Sequence, residues 1–412
     1  MQNLKKYFRI AFISGLWLFA FLIPYNFQYL VPIEALIIVG YLGSQNLKQS
    51  FKSIINDRFS IISVSFYFLV IFSILVFPGD KEESIRQALL KLPFLLMPFF
   101  IIGSDLKKNE VLNILLAFAY GCLSSGLIQF LESAWEFKDK RQLSVFSHYD
   151  FANFMHITYL GMYQLFASAF FLYKGARAIK MNRRVFYISS SILCALFVFL
   201  SSAKIMLIAL VLIGFIMLIL TIRSEKKSVF WYALPLLFLL MPVLLYKFSD
   251  KFKIRVDAAA TELYLFYTHQ DEGRAYSTGQ RILLWRNSLD IVKEKPFLGV
   301  GVSHVQNMVN YHMEVSGDAY RLPIKLNAHN EYLQTTVGMG VVGLMFLISI
   351  YLLPLRYSNK DRMFVTLTFV LILCTASISE SIMERQAGVV FLQLVGCLLV
   401  AWKLKDHEEF KF

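Results

Sequence analysis

The sequence predicts an all-α polytopic membrane protein of about twelve transmembrane helices, with one large polar loop late in the chain. Three observations carry that prediction. Hydrophobic residues make up 57% of the 412 residues and charged residues only 17%, with a mean hydropathy of +0.56. A soluble chain of this length carries about a quarter charged residues. Apolar runs near 20 residues recur along the chain, the length a helix needs to cross a hydrocarbon core of roughly 30 Å. Lys and Arg collect in alternate connections, the asymmetry that sets membrane orientation.

In order, the apolar runs lie near 10–26, 28–43, 59–77, 87–103, 110–131, 151–173, 185–200, 203–221, 229–247, 330–353, 363–380 and 386–403. Lys5, Lys6 and Arg9 precede the first run, and no small-residue cleavage site follows it, so it reads as a retained span and not a removed signal peptide. Pro93 and Pro98 interrupt the fourth run, which is tolerable where neighbouring helices cover the freed backbone groups. With the N-terminus inside, the inner connections carry Lys48, Lys52 and Arg58; Lys107 and Lys108; Lys174, Arg177, Lys180, Arg183 and Arg184; Arg223, Lys226 and Lys227; and Arg356, Lys360 and Arg362. Lys403, Lys405 and Lys411 add to the C-terminal tail. The outer connections are neutral or mixed: Pro78 to Glu83, Glu132 to Asp150, and the Ser201-Ser202 turn. Both termini are therefore expected on the cytoplasmic side. Most of the +13 net charge is then a topogenic signal, and nucleic acid is not an expected partner. Cys122, Cys194, Cys374 and Cys397 all fall in apolar runs at wide spacing, with no metal-ligand pattern.

The chain thus divides into residues 1–247 (spans one to nine), 248–329 (the large outer loop) and 330–412 (spans ten to twelve and the tail), as one integrated domain. At about 80 residues the loop exceeds ordinary connections, and loops this long are usually functional. Phe252 to Tyr267 mixes apolar residues among charges. Within Gln280–Lys295, Ile282, Trp285, Leu289 and Val292 follow helical spacing, a strip suited to lying on the membrane or on the bundle. Pro296 and Gly299-Val300-Gly301 end that helix, and a second short helix is expected over Ser303–Val315.

The candidate chemistry lies on the outer side. His329 stands between Asn327 and Asn330 at the start of span ten; an imidazole there can take a proton from a hydroxyl or hold an anion, or simply be a backbone-satisfied interfacial histidine. Arg281 and Arg286 border the strip that contains Trp285. Guanidinium grips phosphate bidentately, and snorkelling to lipid phosphates is the competing reading. Lys204 enters span eight after Ser201-Ser202-Ala203, as a functional cation or a snorkelling helix end. Arg86 and Lys91 are further candidates for the same cationic site. Glu380, Glu384 and Arg385 form a tight outer turn that either pairs internally or supports the site, and His148, Tyr149 and Asp150 read as loop structure. Several cations and one histidine on one face suit a substrate with a lipid tail, a phosphate or diphosphate at the interface and a polar group beyond it. No phosphate-cradling GxxxxGK[ST], HExxH or Asp-rich motif is present, so neither nucleotide hydrolysis nor a required metal or cofactor is suggested.

Four stretches together resemble the O-antigen ligase superfamily, which also holds O-antigen polymerases and some protein O-oligosaccharyltransferases. They are Arg281-Ile282-Leu283-Leu284-Trp285, Lys295-Pro296-Phe297-Leu298-Gly299-Val300-Gly301, Ala328-His329-Asn330-Glu331-Tyr332-Leu333-Gln334, and Gly338-Met339-Gly340-Val341-Val342-Gly343-Leu344. The resemblance implies an inverting transferase of the GT-C type, with its site on the periplasmic side of the bacterial inner membrane. It implies an undecaprenyl-diphosphate-linked glycan as donor and a lipid A-core or similar glycolipid as acceptor. Arg281 matches the family's loop arginine, implicated in diphosphate binding, and His329 its essential histidine, proposed to act on the acceptor hydroxyl. Ser202-Ala203-Lys204 stands where the family usually has a Ser-Arg motif. Lys keeps the charge there but loses the bidentate fork. The catalytic candidates are thus His329 and Arg281. The diphosphate-binding candidates are Arg281, Lys204, Arg286, Arg86 and Lys91. A polymerase extending the lipid-linked repeat is the close alternative, and transfer to protein is a third. A transporter is less favoured, because transporters place charged groups near mid-membrane in repeated halves.

Overall fold

A computed structural model describes residues 2–25, 30–146, 150–222, 235–236, 239–240, 243–244, 246–247, 250–268, 277–318 and 326–405. The ninth expected span, 229–247, lies largely outside these residues. So do the loop charges Arg223, Lys226 and Lys227, the pair His148-Tyr149, and Lys411. Among the described residues the structure is helical, with no strand. That is the economical solution in lipid, where a helix satisfies its backbone groups within one segment.

The N-terminal part runs α1 (Gln2–Leu22), α2 (Val31–Ser44), α3 (Leu47–Asn56), α4 (Arg58–Val76), α5 (Lys81–Leu90), α6 (Pro93–Ile101), α7 (Lys108–Lys140), α8 (Ile157–Arg177), α9 (Met181–Ser201) and α10 (Lys204–Ile222). Starts are fixed by side-chain caps. Asn46 accepts from Lys48 N and Gln49 N, Asp57 from Ser60 N, and Asp80 from Glu83 N. The expected fourth span is two helices that break at Lys91 and Leu92, where Pro93 cannot continue the hydrogen-bond ladder. The outer connection expected over Glu132 to Asp150 is shorter than the sequence suggests. α7 continues through Glu132 to Lys140, because Glu136 and Lys140 form an i,i+4 ion pair at 2.6 Å that suits one more helical turn.

The C-terminal part runs α11 (Asp250–Tyr267), α12 (Ser277–Glu294), α13 (Val305–Val315), α14 (Glu331–Arg356), α15 (Met363–Ser379) and α16 (Gln386–Leu404). Among the described residues six segments are long and apolar enough to cross a membrane: Arg58–Val76, Lys81–Ile101, Lys108–Lys140, Met181–Ser201, Glu331–Arg356 and Gln386–Leu404. Val31–Ser44, Lys204–Ile219 and Met363–Ser379 are shorter apolar helices. The protein is therefore a polytopic helical membrane protein. α16 is the centre of the bundle, with 89% of its apolar window buried within the protein. It packs on α6 and α7, while α8 packs on α7, α9 and α15. Buried side-chain hydrogen bonds join helices across this core, including Ser63 Oγ to Gln393 Oε1 at 2.7 Å and Gln164 Nε2 to Cys122 O at 2.6 Å. Such bonds matter because lipid supplies no hydrophobic force between helices.

α12 packs on the bundle by a face that only partly coincides with the predicted strip. Its buried face is Leu283, Leu284, Asn287, Ser288 and Ile291, against α13 and α14, whereas Leu289 from the predicted strip is 47% exposed. The predicted strip counted apolar side chains alone, and the packed face includes Asn287 and Ser288. Asn287 is buried because Nδ2 donates to Leu283 O at 2.9 Å and Asp318 Oδ2 at 3.1 Å.

The glycine motifs explain how the loop joins the membrane part. α14 is broken at Gly340, with φ 63° and ψ −164°. The segment Pro296 to Gly301 lies against the break and bonds the backbone groups there: Val300 N to Val337 O at 2.8 Å, Gly301 N to Gly338 O at 3.0 Å, and Val341 N to Pro296 O at 2.8 Å. The strands of chain are so close that a Cβ on Gly340 would sit 2.0 Å from Phe297 O, and one on Gly299 2.4 Å from Val337 O. Only glycine permits both that approach and the positive φ. The loop is thereby fixed to α14 roughly two to three turns beyond His329's end of the helix.

Candidate active site

His329 is held by its neighbours in the Asn327–Gln334 run. Asn327 Oδ1 accepts His329 N at 3.0 Å, and Gln334 Oε1 accepts Ala328 N at 3.2 Å. Asn330 caps α14 by accepting Leu333 N at 3.0 Å and donates to Ile378 O at 3.2 Å. Trp285 Nε1 donates to His329 O at 3.4 Å. His329 itself adopts φ 43°, a left-handed conformation uncommon outside glycine. Almost every polar group of the motif is thus spent on placing one imidazole.

Glu380, the C-cap of α15, receives it. Glu380 Oε2 lies 3.5 Å from His329 Nδ1, and Oε1 lies 3.6 Å from Arg281 Nη2. Arg281 Nε donates to Ser379 O at 3.2 Å. His329 and Arg281, 48 positions apart by number (329 − 281), therefore meet on one carboxylate of the outer turn for which the sequence leaves internal pairing and support of the site both open. His329 Nδ1 is buried and makes no hydrogen bond among the described residues. At 3.5 Å the carboxylate is at the outer edge of hydrogen-bond range. A proton on Nδ1 suits the facing carboxylate of Glu380 and leaves Nε2 as the acceptor.

Burial works to raise the Glu380 pKa, but the close approach and charge of His329, with His156 and Arg281, outweigh it and hold the carboxyl below its usual range. His156, which sequence reasoning missed, caps α8 just ahead of its first turn; its Nδ1 accepts Thr158 N at 3.4 Å. Burial lowers the pKa of His156, partly offset by Glu380 and reinforced by Arg385, His329 and Arg281. Nothing in the local sequence Phe154-Met155-His156 marks it, since its relation to Glu380 exists only after α8 and α15 pack together.

The other candidate cations are placed separately. Arg86 bonds Glu83 at 2.6 Å and Glu384 at 2.8 Å; Lys91, with a side chain only 4% exposed, bonds Glu384 at 3.1 Å and Met383 O at 2.7 Å. Burial opposes ionisation of Glu384, yet Lys91 and Arg86 pull its pKa down to about 2. Two cations here balance two carboxylates. A cavity of about 20 Å³ beside Lys91, Glu331 and Glu384 has room for a water molecule, not a diphosphate. Glu331 ties this group to the first, its Oε2 accepting Met383 N at 2.7 Å while Thr335 Oγ1 donates to Oε1 at 2.7 Å. Arg286 lies about 140° around the helix from Arg281 and faces Asp318 Oδ2 at 3.6 Å. Lys204 opens α10 after the left-handed Ser202 (φ 52°) and is half-buried.

Fold and site together define a multi-pass helical membrane protein with a half-buried Arg–Glu–His constellation where a long loop meets the ends of the bundle helices. Residues 189–348 match the family model described as O-Antigen ligase. That match covers less than half of the chain and makes this segment similar to the O-antigen ligase superfamily, whose members are glycosyltransferase-like enzymes using lipid-linked glycans. The matched segment contains Lys204, Arg281, Arg286, His329 and the Gly340 break, and it stops before Glu380. A Haemophilus influenzae (strain Rd) protein, described as "Uncharacterized protein", is 30% identical over 115 residues, covering 27% of this chain and 28% of that protein. The match therefore spans under a third of that relative's length.

Proposed function

We propose that the protein is an inverting glycosyltransferase of the GT-C type that moves a glycan from an undecaprenyl-diphosphate carrier to a hydroxyl of lipid A-core or a similar glycolipid. The observation that carries this reading is the meeting of His329 and Arg281 on Glu380. His329 Nε2 takes the proton from the acceptor hydroxyl as that oxygen attacks the anomeric carbon. Glu380 holds the ring and stabilises the imidazolium that forms. The bond from the anomeric carbon to the diphosphate oxygen breaks on the opposite face, so configuration inverts. Arg281, with a side chain 32% exposed, and Lys204 stabilise charge on the leaving diphosphate. Side-chain cations supply that charge, so the mechanism calls for no metal or cofactor. Arg286, Arg86 and Lys91 would each have to exchange a carboxylate for a phosphate to join the donor site. The charge asymmetry supports a site on the periplasmic side of the bacterial inner membrane, with both termini cytoplasmic.

Product length separates this reading from a polymerase. Cells lacking the protein should accumulate long glycans on the carrier and show none on the surface acceptor, as read by mass spectrometry of both pools. Single-repeat glycans on the carrier would instead assign the protein as the polymerase that extends the repeat.

A further inference from the structure

Among Arg86, Lys91, Arg281, Arg286 and Arg385, ion pairing leaves Arg385 over. Arg86 is matched by Glu83 and Glu384, Lys91 by Glu384, Arg281 by Glu380, and Arg286 by Asp318. Arg385 is exposed, and among the described residues no carboxylate lies within ion-pair distance of it. A guanidinium left uncompensated beside a half-buried, already balanced constellation is the group with charge to give to an incoming anion.

The backbone fixes where that charge stands. Arg385 caps α16 in an extended conformation, φ −130° and ψ 139°, and its carbonyl accepts Gly388 N at 3.1 Å and Val389 N at 3.2 Å. A Cβ on Gly388 would lie 1.9 Å from Ile382 O and 3.1 Å from Tyr159 Cε1. The first turn of α16 is thus pressed against both the 382–384 turn and the first turn of α8. Tyr163 Oη donates to Ala387 O at 2.8 Å and holds the same junction. The N-terminal ends of α8 and α16, with His156 capping one and Arg385 the other, therefore come together beside Glu380. Their positive dipole ends add to the guanidinium. The charge of Arg385 is felt at His156, which places the two in one electrostatic environment.

We infer that Arg385 binds the diphosphate of the lipid-linked donor, at the junction of α8 and α16 and next to the His329–Glu380–Arg281 group. This rests on the donor reading proposed above and adds a residue to it. Arg385 touches the phosphate in this account, while the carboxylate-bound arginines keep their present partners until the donor is seated.

The test is direct binding to the purified full-length protein in nanodiscs, with undecaprenyl diphosphate as one probe and phosphatidylglycerol as the other. The variants are Arg385→Gln, Arg385→Lys and the control Lys293→Gln, whose side chain is 75% exposed and paired with Asp290. The expected result is tenfold or greater weakening of undecaprenyl diphosphate binding by Arg385→Gln and a smaller loss with Arg385→Lys, which keeps the charge. Lys293→Gln should bind as the parent does, and phosphatidylglycerol binding should be unaffected by any of the three. Undiminished diphosphate binding by Arg385→Gln overturns the assignment and leaves the donor reading standing. Equal loss of both probes makes Arg385 a general lipid-headgroup contact and also overturns it. If the parent protein itself does not bind undecaprenyl diphosphate, the donor reading and the assignment fall together.

Discussion

Glu380→Gln is expected to slow glycan transfer by about a hundredfold, mainly in kcat, because the amide keeps the shape of the carboxylate but not its charge. General-base catalysis contributes roughly 10²–10⁴-fold, and in this site it depends on an imidazolium being tolerated in a buried place. With Oε2 3.5 Å from His329 Nδ1, the carboxylate stabilises that cation and fixes which ring nitrogen is free. A glutamine can present its NH₂ to Nδ1 and select the wrong tautomer. Glu380→Asp, one methylene shorter, should lose less. The pH dependence follows from the depressed carboxyl of Glu380. A group whose folded pKa is lowered contributes stability that is present above its unfolded value, ordinarily about 4.3, and is lost as pH falls through the folded value. The Glu380 contribution should therefore be complete throughout the neutral range and be lost only as pH falls below the ordinary carboxylate value. Initial rates of transfer by the purified variants, at saturating and limiting acceptor, check the prediction. Full activity in Glu380→Gln would remove the carboxylate from the mechanism.

Gly340→Ala should be the most damaging single-methyl change in the chain. The alanine Cβ would lie 2.0 Å from Phe297 O and 2.1 Å from Phe297 C, atoms of a backbone that is itself bonded to α14. No flexible side chain is available to yield. With φ 63° and ψ −164° the residue lies outside the left-handed helical well, in a region essentially reserved for glycine, and the collision adds to that conformational cost. Gly317 provides the comparison. It has φ 73°, but a Cβ there meets nothing within 4 Å. Gly317→Ala should show the conformational cost alone, and Gly340→Ala a much larger fall in thermal stability and in the yield of folded protein. Equal melting temperatures for the two variants would mean that the loop is not locked against the helix break as described.

The contrast between those glycines also shows what the sequence could and could not disclose. The membrane class was legible because the hydrocarbon thickness imposes a helix length that a run of apolar residues reveals directly. His329 and Arg281 were legible because each sits in a local motif whose other members, Asn327, Asn330, Gln334 and Trp285, exist to position the backbone around His329. Glu380 was visible only as a charged turn, since its meaning depends on two partners from other segments. His156 carried no local signal at all. The charges of Arg86, Lys91 and Arg286 were visible, but not their carboxylate partners, which are up to 298 residues away in sequence for Arg86 and Glu384. The packed face of α12 was only partly legible, because counting apolar residues ignores a buried Asn whose donors are satisfied.

The central claim is that His329, held by Glu380, activates an acceptor hydroxyl against a lipid-diphosphate donor. The most direct measurement is transfer by the purified protein in liposomes containing an undecaprenyl-diphosphate-linked glycan and a lipid A-core acceptor, with products identified by mass and anomeric configuration. The account predicts acceptor carrying the glycan with inverted configuration and released undecaprenyl diphosphate, and loss of at least a hundredfold in rate for His329→Ala. Transfer by His329→Ala at the parent rate, with equal amounts of folded protein, would contradict it.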